Sequence, residues 1–225
     1  MPSARRPSRV GLSSTLRVYL NGVTVDPSKK LAYVGGGAIW EIVFREGVKH
    51  GLGAVGGAVN HTVVGGYTLG GGYGWLTSAY GLAADSLVQA TIVTANGSVL
   101  TVNDTEHPDL YLAIRGGGGN FGVITEFVLQ LHIQRPTVYS GTLVYPASAT
   151  EDIVEATHKW QEIAGEKDSA TEVATVDDEG NAVFIINPFY NGTESEGRER
   201  FKDLLAAGPV SDTTKEISFE ELNTL

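Results

Sequence analysis

The stretch Gly56–Gly74 reads GGAVNHTVVGGYTLGGGYG, with eight glycines and no side chain charged near neutral pH except His61 when protonated. Glycine admits positive φ and lets another group approach the backbone where a Cβ would stand. Val59, Val63, Val64, Tyr67 and Leu69 interleave with these glycines, whereas flexible linkers favour serine and polar residues. Such a pattern suits an ordered loop that offers backbone N–H groups to a large ligand: anionic groups sit in N–H nests, and a flat ring can lie on bare backbone. The same composition also suits a set of tight turns in an all-β region.

A second run, Arg115-Gly116-Gly117-Gly118-Gly119-Asn120-Phe121-Gly122, contains the spacing G-x-G-x-x-G at Gly117, Gly119 and Gly122. That dinucleotide fingerprint requires a strand before it and a helix after it. Here Asp109–Arg115 reads as a helix and Val123–Leu129 as a strand, so a nicotinamide-binding unit is disfavoured. Gly35-Gly36-Gly37 lacks the lysine and Ser/Thr of a Walker loop and reads as close strand-to-helix packing. There is no G-x-S-x-G elbow. The five histidines never stand three or four apart, so no helical metal pair is encoded. The acidic groups Glu151-Asp152, Asp177-Asp178-Glu179 and Glu220-Glu221 read as solvated faces.

Composition narrows the classes further. A formal net charge of −10 argues against a nucleic-acid surface, and no apolar run approaches the ~20 residues that span a bilayer. With no cysteine, the chain has neither disulfides nor a thiol to attach a cofactor. Asn60-His-Thr, Asn96-Gly-Ser, Asn103-Asp-Thr and Asn191-Gly-Thr are N-glycosylation sequons. The start, MPSARRPSRVGLSS, has no apolar signal-peptide core, and the compartment stays open.

The elements that position these residues are predicted as follows. Residues 1–15 form an unstructured basic lead-in. Strands cover Val23–Pro27 and Lys30–Val34, and a helix covers Ala38–His50 and stops at Gly51. Trp75–Asp85 is short and amphipathic. Val88–Thr94 and Ser98–Val102 form a hairpin around a two-residue Asn96-Gly97 turn. Leu110, Leu112 and Ile114 are the half-buried side of the Asp109–Arg115 helix. Beyond residue 135 glycine thins out: strand Val138–Tyr145, helix Ala149–Ala164, an antiparallel pair Thr171–Val176 and Ala182–Tyr190, helix Glu194–Ala206, then a tail with no obvious closing element. This is an α+β pattern with one sheet face turned to something else.

GGAVNHTVVGGYTLGGGYGWL, the following YGLAADSL and DLYLAIRGGGGNFGVITEFVLQLH together resemble the FAD-linked oxidoreductases of the p-cresol methylhydroxylase and vanillyl-alcohol oxidase (PCMH) type, nearest their berberine-bridge-enzyme-like branch. The resemblance covers residues 16–135 and continues more weakly to the end. It implies the second half of a PCMH-type FAD-binding domain over 16–135, then the start of an α+β substrate domain over 136–225, whose antiparallel sheet faces the flavin. It places Val59, Asn60, His61, Thr62, Gly65 and Gly66 beside the isoalloxazine and pyrophosphate and counts Gly72 and Gly74 among the cofactor-binding residues. The segment Gly119-Asn120-Phe121-Gly122-Val123 closes over the cofactor, with Val123 near the adenine and Asn120, Gly122 and Val123 as its contacts.

Three departures accompany it. Val59 stands where bicovalent members have cysteine, so FAD bound here is non-covalent as far as cysteine is concerned. Val63 stands where glycine is usual. The family's N-terminal subdomain, with its phosphate loop and attachment histidine, has no counterpart in residues 1–15, and the usual catalytic base lies beyond Leu225. No catalytic residue is assigned, and His61 is expected to orient or pack within its loop. Tyr67, Tyr73 and Tyr80 are expected in the core rather than facing substrate. The implied activity is oxidation of a small alcohol, sugar or secondary metabolite, with hydride transfer to FAD and reoxidation by oxygen. The alternative is a truncated, catalytically incompetent piece with at most a binding role. The partners expected are a small-molecule substrate and molecular oxygen, with no nucleic acid and no membrane.

Overall fold

The computed structural model describes residues 16–224; the lead-in expected over residues 1–15 lies outside them. Two large antiparallel sheets and a small two-stranded one hold the strands of these residues. The first runs β1 (Val23–Asp26), β2 (Leu31–Gly35), β6 (Val123–Gln130), β4 (Leu87–Val93), β5 (Val99–Val102), in that spatial order. In β2, Ala32 and Val34 are buried and alternate with half-buried neighbours, the period-2 signature of a strand with one face in a core. Val34 pairs with Phe127 of β6, and Phe127 is fully buried.

Helix α1 (Trp40–Val48) covers this sheet. Trp40, Val43, Phe44 and Gly47 are its buried stripe, at the spacing an amphipathic helix needs. Gly47 sits inside the helix because a Cβ there would stand 2.7 Å from the Leu52 carbonyl oxygen. Gly35, Gly36 and Gly37 are packing glycines too, since a Cβ on each would meet backbone of Leu20, Ile124 and Leu16 at 2.1–2.3 Å.

Three local expectations need correction. Inside the glycine-rich stretch lies a helix, α2 (Val64–Leu69), that periodicity did not reveal. Tertiary contacts form it: Val64 N–H donates to the Ala38 carbonyl at 2.9 Å, and Val64, Thr68 and Leu69 are buried. A one-turn helix, α3 (Thr77–Tyr80), follows. The β4–β5 hairpin is present, but its loop holds three residues, Ala95-Asn96-Gly97. Thr94 N–H bonds the Ser98 carbonyl, Gly97 N–H bonds the Thr94 carbonyl, and Gly97 takes φ +83°. This is a type I turn followed by a left-handed glycine. In α4 (Pro108–Ile114), Leu112 is 69% exposed rather than half-buried.

β3 (Leu52–Gly53) pairs with β7 (His132–Ile133) and leads to the second sheet. This contains β8 (Thr137–Ser140), β9 (Leu143–Pro146), β10 (Asp168–Val176), β11 (Ala182–Tyr190), β12 (Ser211–Asp212) and β13 (Lys215–Ser218). The expected single strand Val138–Tyr145 is broken at Gly141-Thr142, and the facing strand is broken at Thr213-Thr214. The two breaks hold each other: Thr213 N–H donates to the Thr142 carbonyl, and Thr142 N–H donates to Thr213 Oγ1 at 2.9 Å. In ribbon terms the sheet is four strands wide, with β10 on one edge and β12–β13 on the other. The tail read as having no closing element thus supplies an edge strand.

Helices α5 (Thr150–Ile163), α6 (Glu194–Arg200) and α7 (Lys202–Ala206) accompany this sheet, and the last two replace one expected helix, interrupted at Phe201. Ile153, Phe201 and Leu204 of this layer pack with Tyr139, Tyr145 and Ile186. On the opposite face Val138, Phe189 and Ile217 pack with Trp75 and Leu76, joining the two sheets. No helix among the described residues is long and apolar enough to cross a membrane.

Candidate cofactor site

The loop Val59–Val63 lies across the start of α1. The first N–H groups of a helix have no acceptor inside it, and Ile39, the N-cap, offers none from its side chain. Two carbonyls of the loop take that role: Trp40 N–H donates to Thr62 O at 3.1 Å, and Glu41 N–H to Asn60 O at 2.8 Å. The loop is therefore ordered by its own backbone oxygens, which are turned into the protein.

Next to it opens a cleft of about 610 Å³, lined by Leu16, Gly36, Val63, Gly65, Gly66, Leu69, Gly119, Asn120, Gly122, Val123, Ile124 and Phe127. The two glycine runs singled out in the sequence, far apart along the chain, meet here. Five predicted residues line it: Gly65, Gly66, Asn120, Gly122 and Val123. Gly119, in the segment that the resemblance closes over the cofactor, lines it as well; Leu16, Leu69, Ile124 and Phe127 carry no site signal in the sequence, and Gly36 is read there only as a packing glycine. Val59, Asn60, His61 and Thr62 sit in the neighbouring loop rather than in this lining. His61 is exposed, which departs from the packing alternative of its expected role.

Gly72 and Gly74 serve another purpose. A Cβ on Gly72 would stand 2.5 Å from the Tyr67 ring, and one on Gly74 only 1.9 Å from the Gly56 carbonyl oxygen. They let the segment after α2 pack closely on Tyr67 and on the Gly56 backbone. Tyr67 lies edge-on to Trp40 at 5.5 Å and donates its hydroxyl to the Tyr73 carbonyl. Burial pushes this phenol up to about 12, so near neutral pH it keeps the proton it donates. Tyr80 stacks on His132 at 3.6 Å, a packing role as expected. Tyr73 is 59% exposed and departs from that expectation.

Among the described residues the cleft carries no ionisable side chain, and its one polar side chain is Asn120, whose amide donates to the Gly117 carbonyl at 2.7 Å. Its polar resource is backbone. Gly65 and Gly66 fall in the first turn of α2, where amides lack helical acceptors. At Gly66 and at Gly119 an added Cβ would meet nothing within 4 Å, so these positions leave bare backbone facing open space. Aliphatic walls, amide donors and glycines where side chains would fill the gap fit a large, partly flat, partly anionic cofactor.

Comparison with known proteins bears on which cofactor. The family described as FAD binding domain matches residues 10–103. An FAD-linked oxidoreductase of Aspergillus terreus is 40% identical over 194 residues, 84% of this chain and 39% of that protein. Among solved structures, 6-hydroxy-D-nicotine oxidase of Arthrobacter nicotinovorans superposes with a TM-score of 0.83 at 30% identity, covering 91% of this chain and 46% of that one. A berberine bridge enzyme variant, a reticuline dehydrogenase, superposes at 0.78 and 26%, covering 91% and 42%. The chain is similar to FAD-linked oxidoreductases of the PCMH-type, berberine-bridge-enzyme-like family. It spans less than half the length of these relatives. The α+β architecture expected for such a protein, an FAD-binding portion followed by an antiparallel sheet with helices, is the one observed.

Proposed function

We propose that this chain forms one wall of an FAD site, together with part of the substrate-facing sheet, in an oxidoreductase acting on a small alcohol, sugar or secondary metabolite. FAD, when bound, supplies the hydride acceptor, with reoxidation by oxygen. The observation that carries the reading is the glycine-lined, uncharged cleft on Gly65, Gly66 and Gly119.

In this reading the Gly65 and Gly66 amides bind pyrophosphate oxygens, and Gly119, Asn120, Gly122 and Val123 close over the nucleotide. Val63, Leu69 and Phe127 exclude water. Val59, Asn60, His61 and Thr62 flank the ring, held by the carbonyl contacts to α1. Gly72 and Gly74 support from behind. The chain has no thiol, so FAD is held here without a cysteinyl bond.

A second reading, a piece that folds but does not catalyse, draws on the share of its relatives that the chain spans, 39% of the Aspergillus terreus protein and 46% of the nicotine oxidase. Incubation with FAD, desalting and an absorbance spectrum separate the two. Flavin bands that survive desalting support the cradle, and Gly66→Leu, with unchanged circular dichroism, is expected to weaken retention by roughly tenfold or more, about 1.4 kcal/mol. A folded chain that never retains flavin would sink the cradle reading in favour of the second.

A further inference from the structure

Four sequons occur in the chain, and the structure treats them differently. Asn60 is half-buried, its carbonyl accepting from Glu41 N–H and its own N–H donating to the Asn223 carbonyl at 3.3 Å. Asn191 is half-buried and exchanges amide hydrogen bonds with Gln134 at 2.8 and 3.3 Å; Gln134 itself is only 5% exposed. Asn103 is half-buried and its Nδ2 donates to Gln89 Oε1 at 3.3 Å. A glycan on Asn191 or Asn103 would displace the hydrogen bond its Nδ2 donates, whereas Asn60 is set apart by its half-burial in a loop held by backbone bonds at both its N–H and its carbonyl.

Asn96 differs on each count. It is exposed, as are Ala95, Gly97, Ser98 and Val99 around it. Its Oδ1 accepts from Ser98 N–H at 3.0 Å and from Thr94 Oγ1 at 2.7 Å. The carboxamide is therefore fixed through its oxygen to the third residue of its own sequon, while Nδ2 has no hydrogen bond among the described residues. Gly97, at φ +83°, gives the loop its outward bend, with open space around it.

We propose that Asn96 is an N-glycan acceptor and carries the glycan of the folded chain when it passes through a glycosylating compartment. In that step a bond forms between Asn96 Nδ2 and C1 of the sugar. The bond from C1 to the pyrophosphate oxygen of a lipid-linked oligosaccharide breaks, the lipid pyrophosphate leaves, and Nδ2 loses one proton. The Oδ1 contacts are untouched. The loop adjoins β5, which among the described residues pairs only with β4 and is an edge of the first sheet; none of its residues lines the cleft. A bulky polar glycan there covers an edge prone to pairing with other chains without obstructing cofactor entry.

The test is to express the full chain behind a signal sequence in a eukaryotic host and isolate the secreted monomer. Its mass is then compared before and after amide-specific endoglycosidase treatment. One glycan is expected, lost in Asn96→Gln and equally in Ser98→Ala, which removes the acceptor code but keeps the Asn96 contacts. An unglycosylated monomer, or a glycan that persists in both variants, would overturn the proposal.

Discussion

Glycines that look alike in the sequence do opposite work. Gly74 is needed because the Gly56 carbonyl stands 1.9 Å from where its Cβ would be, while Gly66 has nothing within 4 Å. Gly74→Ala is expected to destabilise the fold by about 1–3 kcal/mol, read as a lower thermal midpoint. Gly66→Ala should leave the midpoint unchanged or slightly raised. The letters alone could not separate the two, because the deciding neighbour lies far off in the chain. That is why the sequence groups Gly72 and Gly74 with Gly66 as cofactor contacts although they serve packing. His132 offers a second test at this scale. It is stacked on Tyr80, its Nε2 is buried without a partner, and burial with Lys30 nearby holds its pKa below the usual histidine value. Its folded pKa being the lower, the fold is favoured above the unfolded value of ~6.5 and loses stability as pH falls through that value and then the folded one. His132→Phe should flatten the fall of the thermal midpoint between about pH 7 and pH 5; an unchanged slope would assign the dependence to other groups.

Among the elements, α6 has the most explicit local code. Thr193 caps it in a reciprocal box: Thr193 N–H donates to Glu196 Oε2 at 2.8 Å and Glu196 N–H to Thr193 Oγ1 at 3.4 Å. Gly197 then brings the helix backbone against the Tyr139 ring, where a Cβ would stand 2.2 Å away. Thr193→Ala should cost about 1 kcal/mol in denaturant unfolding, with an unchanged slope. Elements with such local signals were readable in advance: α1 from its apolar stripe, the β10–β11 pair from its turn, the β4–β5 hairpin from Asn96-Gly97. α2 was not, since a segment with two glycines has little helix preference of its own, and contacts from Ala38 and the core decide its form. The break between β8 and β9 was equally hidden. Gly141 takes φ +148° with Thr214 2.6 Å from its missing Cβ, a constraint imposed by the partner strand.

For the molecule as a whole, the α+β pattern and the meeting of two glycine runs were legible because both are written in composition and order. How the two sheets join was not. Trp75 contacts Phe189 at 5.7 Å, and Phe219, just past β13, lies edge-on to Phe44 of α1 at 6.4 Å. Phe219→Ala should cost about 3–5 kcal/mol and loosen the two sheets from each other. Calorimetry is expected to resolve a single transition in the parent chain and two in the variant; a sharp single transition in the variant would show that Trp75 and its neighbours suffice.

The Phe219–Phe44 contact and the Asn60 N–H bond to the Asn223 carbonyl join opposite ends of the described chain. Closing so long a loop is entropically late, and contacts of this range slow folding. During synthesis the glycine-rich loop therefore emerges well before the residues that lock it from behind. It spends that interval as a half-supported surface, and a chaperone or early cofactor binding would act on it then.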